Sequence, residues 1–266
     1  MPRPSLAERF ASLLALPDAQ IPLDETSLVI AAHAQPDLDV DAELAVIDGI
    51  AAQVRDPTLT GLCRLLFRDL GFTGNTADYY DPGNSFLNVV IERRTGIPIS
   101  LSILMMEVGR RHSIPLAGVG MPGHFLLRDK VDPTVFVDAF DNGRLLDLAG
   151  CARLFRRVHG ATAQLQPSFL DPVDRAVIVS RVLGNLRGIY GQRNDNASLL
   201  WVLQLRTLVP GAGVVEHLEL AGAMATAGDL LGAAAVYDRA AEMLEATGGD
   251  AVPARAAADR LRARLN

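Results

Sequence analysis

The hydrophobic pattern changes from that of a helix to that of strands within one short stretch of the chain, and this change strongly limits the possible folds. Residues 100–111 are apolar at helical spacing, and three strand-like runs follow, at 114–120, 124–128 and 135–140. Met121-Pro122-Gly123 and Asp132-Pro133 separate these runs. Short strands joined by Pro and Gly turns predict a small antiparallel sheet packed against the helix, which is an α+β arrangement. The residues expected on the buried face of the helix are Leu101, Leu104, Met105 and Val108.

The segments on either side of this core are predicted to be mainly helical. Residues 1–70 show helical spacing interrupted by prolines, and the last of these helices, 59–70, ends at Gly71, a favoured stop. Gly, Asn, Asp and Tyr are frequent in 71–98, which predicts an exposed loop with a short helix at 85–94.

The C-terminal part is predicted to be a separate helical domain. No strand pattern occurs after Pro172, and 160–172 is the best candidate for a linker. Val202 and Tyr237 occupy similar positions in two helical segments 35 residues apart, close to the ~34-residue period of tetratricopeptide repeats. We therefore expect two domains, 1–160 with the sheet and 172–266 with the repeat-like helices, and we expect so short a repeat to dock on the first domain.

Composition excludes several classes of function. The 266 residues carry 25 Lys+Arg and 31 Asp+Glu, a net charge of -6, so a general nucleic-acid binder is not expected. No apolar run approaches the ~18 residues of a membrane span, and Glu8 and Arg9 lie where a signal peptide would be apolar. Cys63 and Cys151 are far apart and lack ligand spacing, which argues against a zinc site or a disulfide framework. We expect a cytoplasmic protein without metal or cofactor.

Three motifs in the middle of the chain are distinctive in their order. They are Tyr79-Tyr-Asp-Pro-Gly-Asn-Ser, Val119-Gly-Met-Pro-Gly-His and Phe136-Val-Asp-Ala-Phe-Asp. Together they resemble the transglutaminase-like core family of bacterial Sir-B-type proteins, which has a tetratricopeptide-like C-terminal region and is also found in a eukaryotic F-box protein. The resemblance covers about 25–245. It implies a transglutaminase-like, papain-like core with N-terminal helices, followed by an all-α tetratricopeptide-like domain.

The resemblance also implies where a catalytic site would lie. The enzymes of this fold place a Cys at the start of the central helix, a His on the next strand and an Asp or Asn on the strand after. His124 and Asp138 match the second and third positions, whereas the Cys position falls near Pro98, with Ser100 as the nearest hydroxyl. A helix N-terminus and an imidazole together generate a thiolate from cysteine, but a serine depends wholly on a well-placed base.

Each candidate residue has a structural alternative. Ser100 could be an ordinary N-cap, and His124 with Asp138 could be a hydrogen-bonded pair that serves structure alone. Cys151 could belong to a rearranged site, because triads are defined by geometry and not by order. Cys63 is expected in the core.

Polar residues around the loop and the remaining histidines also have expected roles. One of the two arginines Arg93 and Arg94 is expected to form an ion pair. Its partner could be Asp81 or, alternatively, an acidic ligand. Asn84 or Ser85 is expected to cap the following helix. The other histidines are expected at the surface or hydrogen-bonded in the core: His33, His112, His159 and His217.

These observations leave two classes of function open. The first is a non-catalytic or vestigial transglutaminase-like protein of bacterial type that binds a protein or peptide partner and has a regulatory role. The second is a hydrolase or acyl transferase that uses Ser100, His124 and Asp138. The missing cysteine and the repeat-like helices favour the first class.

Overall fold

The computed structural model describes residues 5–265 and divides them into two compact units. The mixed unit contains 16–182, and the helical unit contains 5–15 together with 183–265. These bounds differ from those of the predicted domains, 1–160 and 172–266. That these two domains fold independently stays a prediction. The difference has a plain cause: the first helix, α1 (Leu6–Leu14), belongs to the helical unit, where it packs against residues late in the chain.

The mixed unit combines short helices with one small sheet and one two-stranded pair. Its helices are α2 (Leu23–Ala34), α3 (Val40–Ala51), α4 (Leu59–Cys63), α5 (Leu87–Arg93), α6 (Pro98–Arg111), α7 (Leu148–His159) and the first part of α8 (Arg175–Arg193). A π-helical segment, Arg64–Asp69, continues α4 up to the predicted stop at Gly71. Mixed helix and sheet content is therefore observed, as the pattern predicted.

The three predicted strands are confirmed, and the structure contains three further short strands that the pattern did not show. A parallel pair joins β1 (Thr73–Gly74) to β2 (Thr95–Gly96) inside the region predicted as loop. The antiparallel sheet has the order β3-β4-β5-β6. Its strands are β3 (Leu116–Val119), β4 (Leu126–Asp129), β5 (Phe136–Asp138) and β6 (Arg144–Leu146). The fourth strand was not predicted, because it is short and only Leu146 of it is buried.

Helix α6 is the central element of the mixed unit. All four residues predicted on its buried face are at most 1% exposed, which confirms that prediction: Leu101, Leu104, Met105 and Val108. The opposite face is buried as well, so even Ser102 and Glu107 are inaccessible to solvent. Helices α2 and α3 contact α6, as do strands β3 and β4. A helix enclosed in this way fixes the elements around it, because interiors pack at near-crystalline density.

The segment predicted as a linker is instead part of the mixed unit. Leu165, Phe169 and Leu170 pack against the core formed by the sheet and α7. The amide of Val173 donates to the carbonyl of Gly118 at 2.9 Å, which adds the chain to the free edge of β3. The expectation of a linker at 160–172 was therefore wrong, because its apolar residues have a buried surface to cover.

The helical unit contains α1, the second part of α8 and four more helices. These are α9 (Asn196–Leu208), α10 (Val214–Thr226), α11 (Leu230–Ala246) and α12 (Val252–Ala263). From α9 to α12, each helix packs against the next one along the chain, and α1 packs on α9. Helices α9 and α11 begin at Asn196 and Leu230, which are 34 residues apart. No helix among residues 5–265 is long and apolar enough to cross a membrane.

Replacement of Leu104 by alanine tests the central role of α6. Leu104 is 1% exposed, so Leu104→Ala should lower the free energy of unfolding by about 2–5 kcal/mol through lost burial and the cavity left behind. Leu148→Ala is the matched control, because Leu148 is 58% exposed and its loss should cost less than about 0.5 kcal/mol. Urea unfolding measures both values. Equal midpoints for wild type and Leu104→Ala would contradict the assignment.

Candidate functional site

A tight turn positions His124 just before strand β4. Pro122 and Gly123 occupy the two central positions of this turn, and the amide of His124 donates to the carbonyl of Met121 at 3.0 Å. Gly123 has a φ of +71°, which a type II turn requires at this place and which other residues rarely adopt. Strand β4 begins at Leu126, two residues after the start that we predicted.

Arg181 of helix α8 holds the same turn from the other side. Its guanidinium donates to the carbonyls of Gly120 and His124 at 3.0 and 3.1 Å. Burial lowers the pKa of Arg181, although the nearby Tyr79 acts in the opposite direction. Arg181 was not predicted from the sequence, where its only signal is an arginine between the apolar residues Val179 and Val182 of α8. Because it binds the backbone of His124, Arg181 is a positioning residue for the imidazole.

His124 and Asp138 are brought together, as the sequence predicted. Nε2 of His124 lies 2.9 Å from Oδ1 of Asp138, and both side chains are almost inaccessible, at 9% and 2% exposure. A carboxylate only accepts, so Nε2 carries the proton in this bond. Within residues 5–265, Nδ1 makes no hydrogen bond. The imidazole therefore has one nitrogen fixed by the carboxylate and the other available as a base.

The carboxylate of Asp138 has a second function in the fold. Its Oδ1 also accepts from the amides of Phe140 and Asp141, at 3.1 and 3.3 Å, and so holds the turn that follows β5. The ring of Phe140 in turn meets the edges of His124 and Tyr79 at centroid distances of 6.1 and 6.0 Å. Burial raises the pKa of Tyr79, which keeps its hydroxyl protonated. The imidazole of His124 is thus packed against Phe140, and Tyr79 packs against the same ring.

Ser100 lies in the first turn of α6 but is not the N-cap that the sequence suggested. The N-cap of α6 is Ile97, and Pro98 is the first helical residue, which leaves Ser100 at the third position of the first turn. Its Oγ accepts from the amide of Ile97 at 3.1 Å and lies 3.2 Å from the carbonyl of the same residue. Ser100 is 2% exposed, and within the described chain no hydrogen bond joins it to His124. The expected N-cap role was therefore wrong in position, although Ser100 does stabilise the helix start.

Neither cysteine is activated. Burial raises the pKa of the Cys63 thiol to about 12 and, together with the charges of Asp147 and Asp138, that of Cys151 to about 11. Both thiols are therefore protonated near neutral pH, and the thiolate is the nucleophilic form. Cys151 is completely buried, whereas Cys63 is half-buried and less enclosed than predicted. A rearranged site with Cys151 has no support from this geometry.

The polar loop before α5 is fixed by side chains in a way that differs partly from our expectation. Arg93 forms the expected ion pair with Asp81, at 2.6 Å. Asn84 was expected to cap the following helix, but its Nδ2 donates to the carbonyls of Asp78 and Tyr79 instead. The N-cap of α5 is Phe86. Ser85 does not cap the helix either, since its buried Oγ has no hydrogen-bond partner within the described residues.

No group of three or more potential metal-binding side chains occurs within residues 5–265. The four remaining histidines each lie within hydrogen-bond distance of a backbone carbonyl, which fits their expected structural roles. The partners are Val29 for His33, Ala51 for His112, Pro122 for His159 and Gly213 for His217.

The mixed unit coincides with most of a match to a known family. Residues 28–184 match the family described as the transglutaminase-like superfamily. Because this match covers more than half of the chain, the chain belongs to that superfamily. Within it, the chain has relatives named UPF0162 proteins. One from Xylella fastidiosa (strain 9a5c) is 37% identical over 196 residues, which is 69% of this chain and 70% of the relative.

Two more distant relatives extend the comparison. A UPF0162 protein of Pseudomonas aeruginosa is 29% identical over 214 residues, covering 75% of this chain and 76% of its own. The F-box only protein 21 of Mus musculus is 32% identical over 144 residues, which is 50% of this chain but 22% of that protein. No solved structure matches the chain.

The raised thiol pKa values predict slow alkylation of the folded protein. At pH 7.5 well below about 1% of either thiol is ionised, so iodoacetamide should label native protein far more slowly than protein unfolded in guanidinium, where thiols return to a pKa near 8.5. Labelling should accelerate as the pH rises towards 11. In the Cys63→Ala variant, mass spectrometry measures the alkylation of Cys151 alone. Native Cys151 that reacts at the unfolded rate at pH 7.5 would contradict this prediction.

Proposed function

We propose that this chain is a non-catalytic transglutaminase-like protein that binds a protein or peptide partner in the cytoplasm and has a regulatory role. The observation that carries the proposal is the state of the candidate nucleophile. The Oγ of Ser100 is buried and is engaged by the backbone of Ile97, so it is not directed to the base. A serine without contact to a base is a poor nucleophile.

The cysteines support the same conclusion. Their raised pKa values leave no thiolate near neutral pH. The family's cysteine position falls near Pro98, which begins α6 and has no reactive side chain. The chain has therefore kept the base and its carboxylate partner without the group that they would activate.

The helical unit supports partner binding. Its consecutive helices, with starts 34 residues apart for α9 and α11, have the period of tetratricopeptide repeats, whose stacked helices usually present concave binding surfaces. Within the unit, α8, α9 and α10 line a cavity of about 610 Å³ that includes Leu199, Leu203 and Gly222. The tetratricopeptide-like character and the Sir-B type of the protein belong to this proposal.

A Ser–His–Asp hydrolase or acyl transferase is the alternative, and one observation favours it. Nδ1 of His124 has no partner within residues 5–265, while Nε2 is fixed by Asp138, which is the arrangement of a general base. For catalysis Ser100 would have to leave its bonds to Ile97. An enzyme of this type would form a covalent intermediate with fluorophosphonate probes, whereas a binding protein would not.

Substitution of Ser100 separates the two functions. As a binding protein, wild type should show no fluorophosphonate adduct, and Ser100→Ala should keep partner binding while losing about 1–3 kcal/mol of stability, because the buried amide of Ile97 loses its acceptor. Ser100→Thr keeps an oxygen at that place and should lose less. Intact-mass analysis and thermal unfolding measure the two effects. An adduct on wild type that is absent from both Ser100→Ala and His124→Ala would overturn the proposal and establish the hydrolase.

A further inference from the structure

Helix α7 carries an excess of positive charge in an otherwise acidic protein. The segment 144–159 contains four arginines and a single acidic residue, Asp147, whereas the whole chain has a net charge of -6. Arg156 and Arg157 are exposed and take part in no ion pair within the described residues. Arg153 has one weak pair, 3.9 Å from Asp147, with both side chains more than 60% exposed. These guanidinium groups are free to bind an external anion.

Three of the four arginines of 144–159 border a cavity that reaches Asp138. This cavity, of about 200 Å³, lies between β6 and the first turns of α7, and Arg144, Arg153 and Arg157 line it together with Asp138. The lining holds three arginines and two aspartates, Asp138 and Asp141. Asp138 is engaged by His124 and two backbone amides, and Asp141 is paired with Arg144 at 3.4 Å, which leaves Arg153 and Arg157. The net charge of the lining is positive and suits a carboxylate side chain.

A second, apolar cavity lies on the other side of α7. It measures about 430 Å³, and its lining includes Leu148, Ala152, Leu165 and Leu170. Among the residues of the described chain that line this cavity, Arg156 is the one with a charged side chain. Leu148 is 58% exposed, so its side chain at the edge of this cavity is accessible to a partner. Positions 148, 152 and 156 share one face of the helix, and 153 and 157 lie on the adjacent face.

We propose that α7 and its two cavities form the docking surface for an acidic peptide segment of a partner protein, a proposal that rests on the proposed binding function. An acidic side chain enters the arginine-lined cavity, and a large apolar side chain enters the apolar one. An α-helix is about 10 Å wide and an extended chain advances about 3.3 Å per residue, so the two anchors are about three to five residues apart.

Charge and shape together favour a peptide over other anionic partners. A nucleic acid presents a long row of phosphates and needs a basic stripe, whereas here the chain is acidic outside this helix. An anionic membrane needs a convex apolar face, whereas the surface around α7 is formed by two cavities of side-chain size. Paired polar and apolar pockets are typical of peptide recognition.

Selection from an unbiased library tests the proposal on the full-length protein. Phage-displayed random peptides of twelve residues are panned against the chain, and the enriched peptides are synthesised with a fluorescent label. We expect net negative peptides with a large apolar residue three to five positions from an acidic one. Binding measured by fluorescence anisotropy should weaken about tenfold or more between 50 and 300 mM NaCl, because salt screens opposite charges.

Variants then locate the site. Arg153→Glu and Arg157→Glu should each weaken binding about tenfold or more, and Leu148→Ser should weaken it without changing its salt dependence. Arg157→Gln, which only removes the charge, should have a smaller effect than Arg157→Glu. Arg260→Glu is the matched control, because Arg260 is also exposed on a helix and has no described ion pair, and it should bind as wild type does. Circular dichroism shows that each variant is folded.

The outcomes separate this proposal from the proposed function. Enriched peptides without acidic bias, or acidic peptides that bind equally well to Arg153→Glu and Arg157→Glu, would overturn the α7 surface and leave the binding function standing. A failure to enrich any peptide would contradict both. Vesicles with 30% phosphatidylserine and a single-stranded RNA 20-mer are the remaining probes. Binding of either that depends on Arg153 and Arg157, in place of peptide binding, would also overturn the proposal.

Discussion

The mixed unit depends on burying a carboxylate in the middle of its central helix. Glu107 is completely inaccessible on α6, and an isolated charge there would be very costly. Arg110 and Arg175 compensate it, at 2.6 and 2.7 Å. Arg175 begins α8 and also donates to the carbonyl of Ile21, so one buried charge ties the N-terminal side of the unit, the central helix and the chain after the sheet together. Breaking such a pair is far more destabilising than its net contribution suggests.

The candidate site is built on the same elements, α6, the sheet and α8. Strands β3 and β4 pack against α6, and the register between β4 and β5 brings His124 within hydrogen-bond distance of Asp138. Six residues after Arg175, on the same helix, Arg181 binds the turn that carries the histidine. The base is therefore positioned by long-range contacts, whereas Ser100 is held by a local bond to Ile97. Positioning of the base does not require a nucleophile to be present.

The sequence predicted those features that depend on local pattern. The buried face of α6, three of the four sheet strands and the approach of His124 to Asp138 follow from hydrophobic periodicity and from the resemblance to a family. The N-cap of α6 was predicted at Ser100, three residues after its observed position at Ile97. Pro98 could have indicated the true helix start, because proline is a favoured first helical residue. The contact of Arg181 with the His124 turn could not be predicted, because 57 residues separate the two and only tertiary packing brings them together. The same holds for the packing of 160–172, whose partners lie on other elements.

The triple acceptor role of Asp138 bears on how relatives of this chain should be compared. One oxygen of its carboxylate closes the turn after β5 and orients the imidazole, so an alanine there would disturb folding even in a protein with no chemistry to perform. Selection on stability alone would thus preserve an acceptor oxygen at this position. A His–Asp pair that is retained across an alignment therefore does not indicate whether the aligned proteins are enzymes. The position that does indicate catalytic activity is the one at the start of the central helix, where a reactive side chain is either kept or lost.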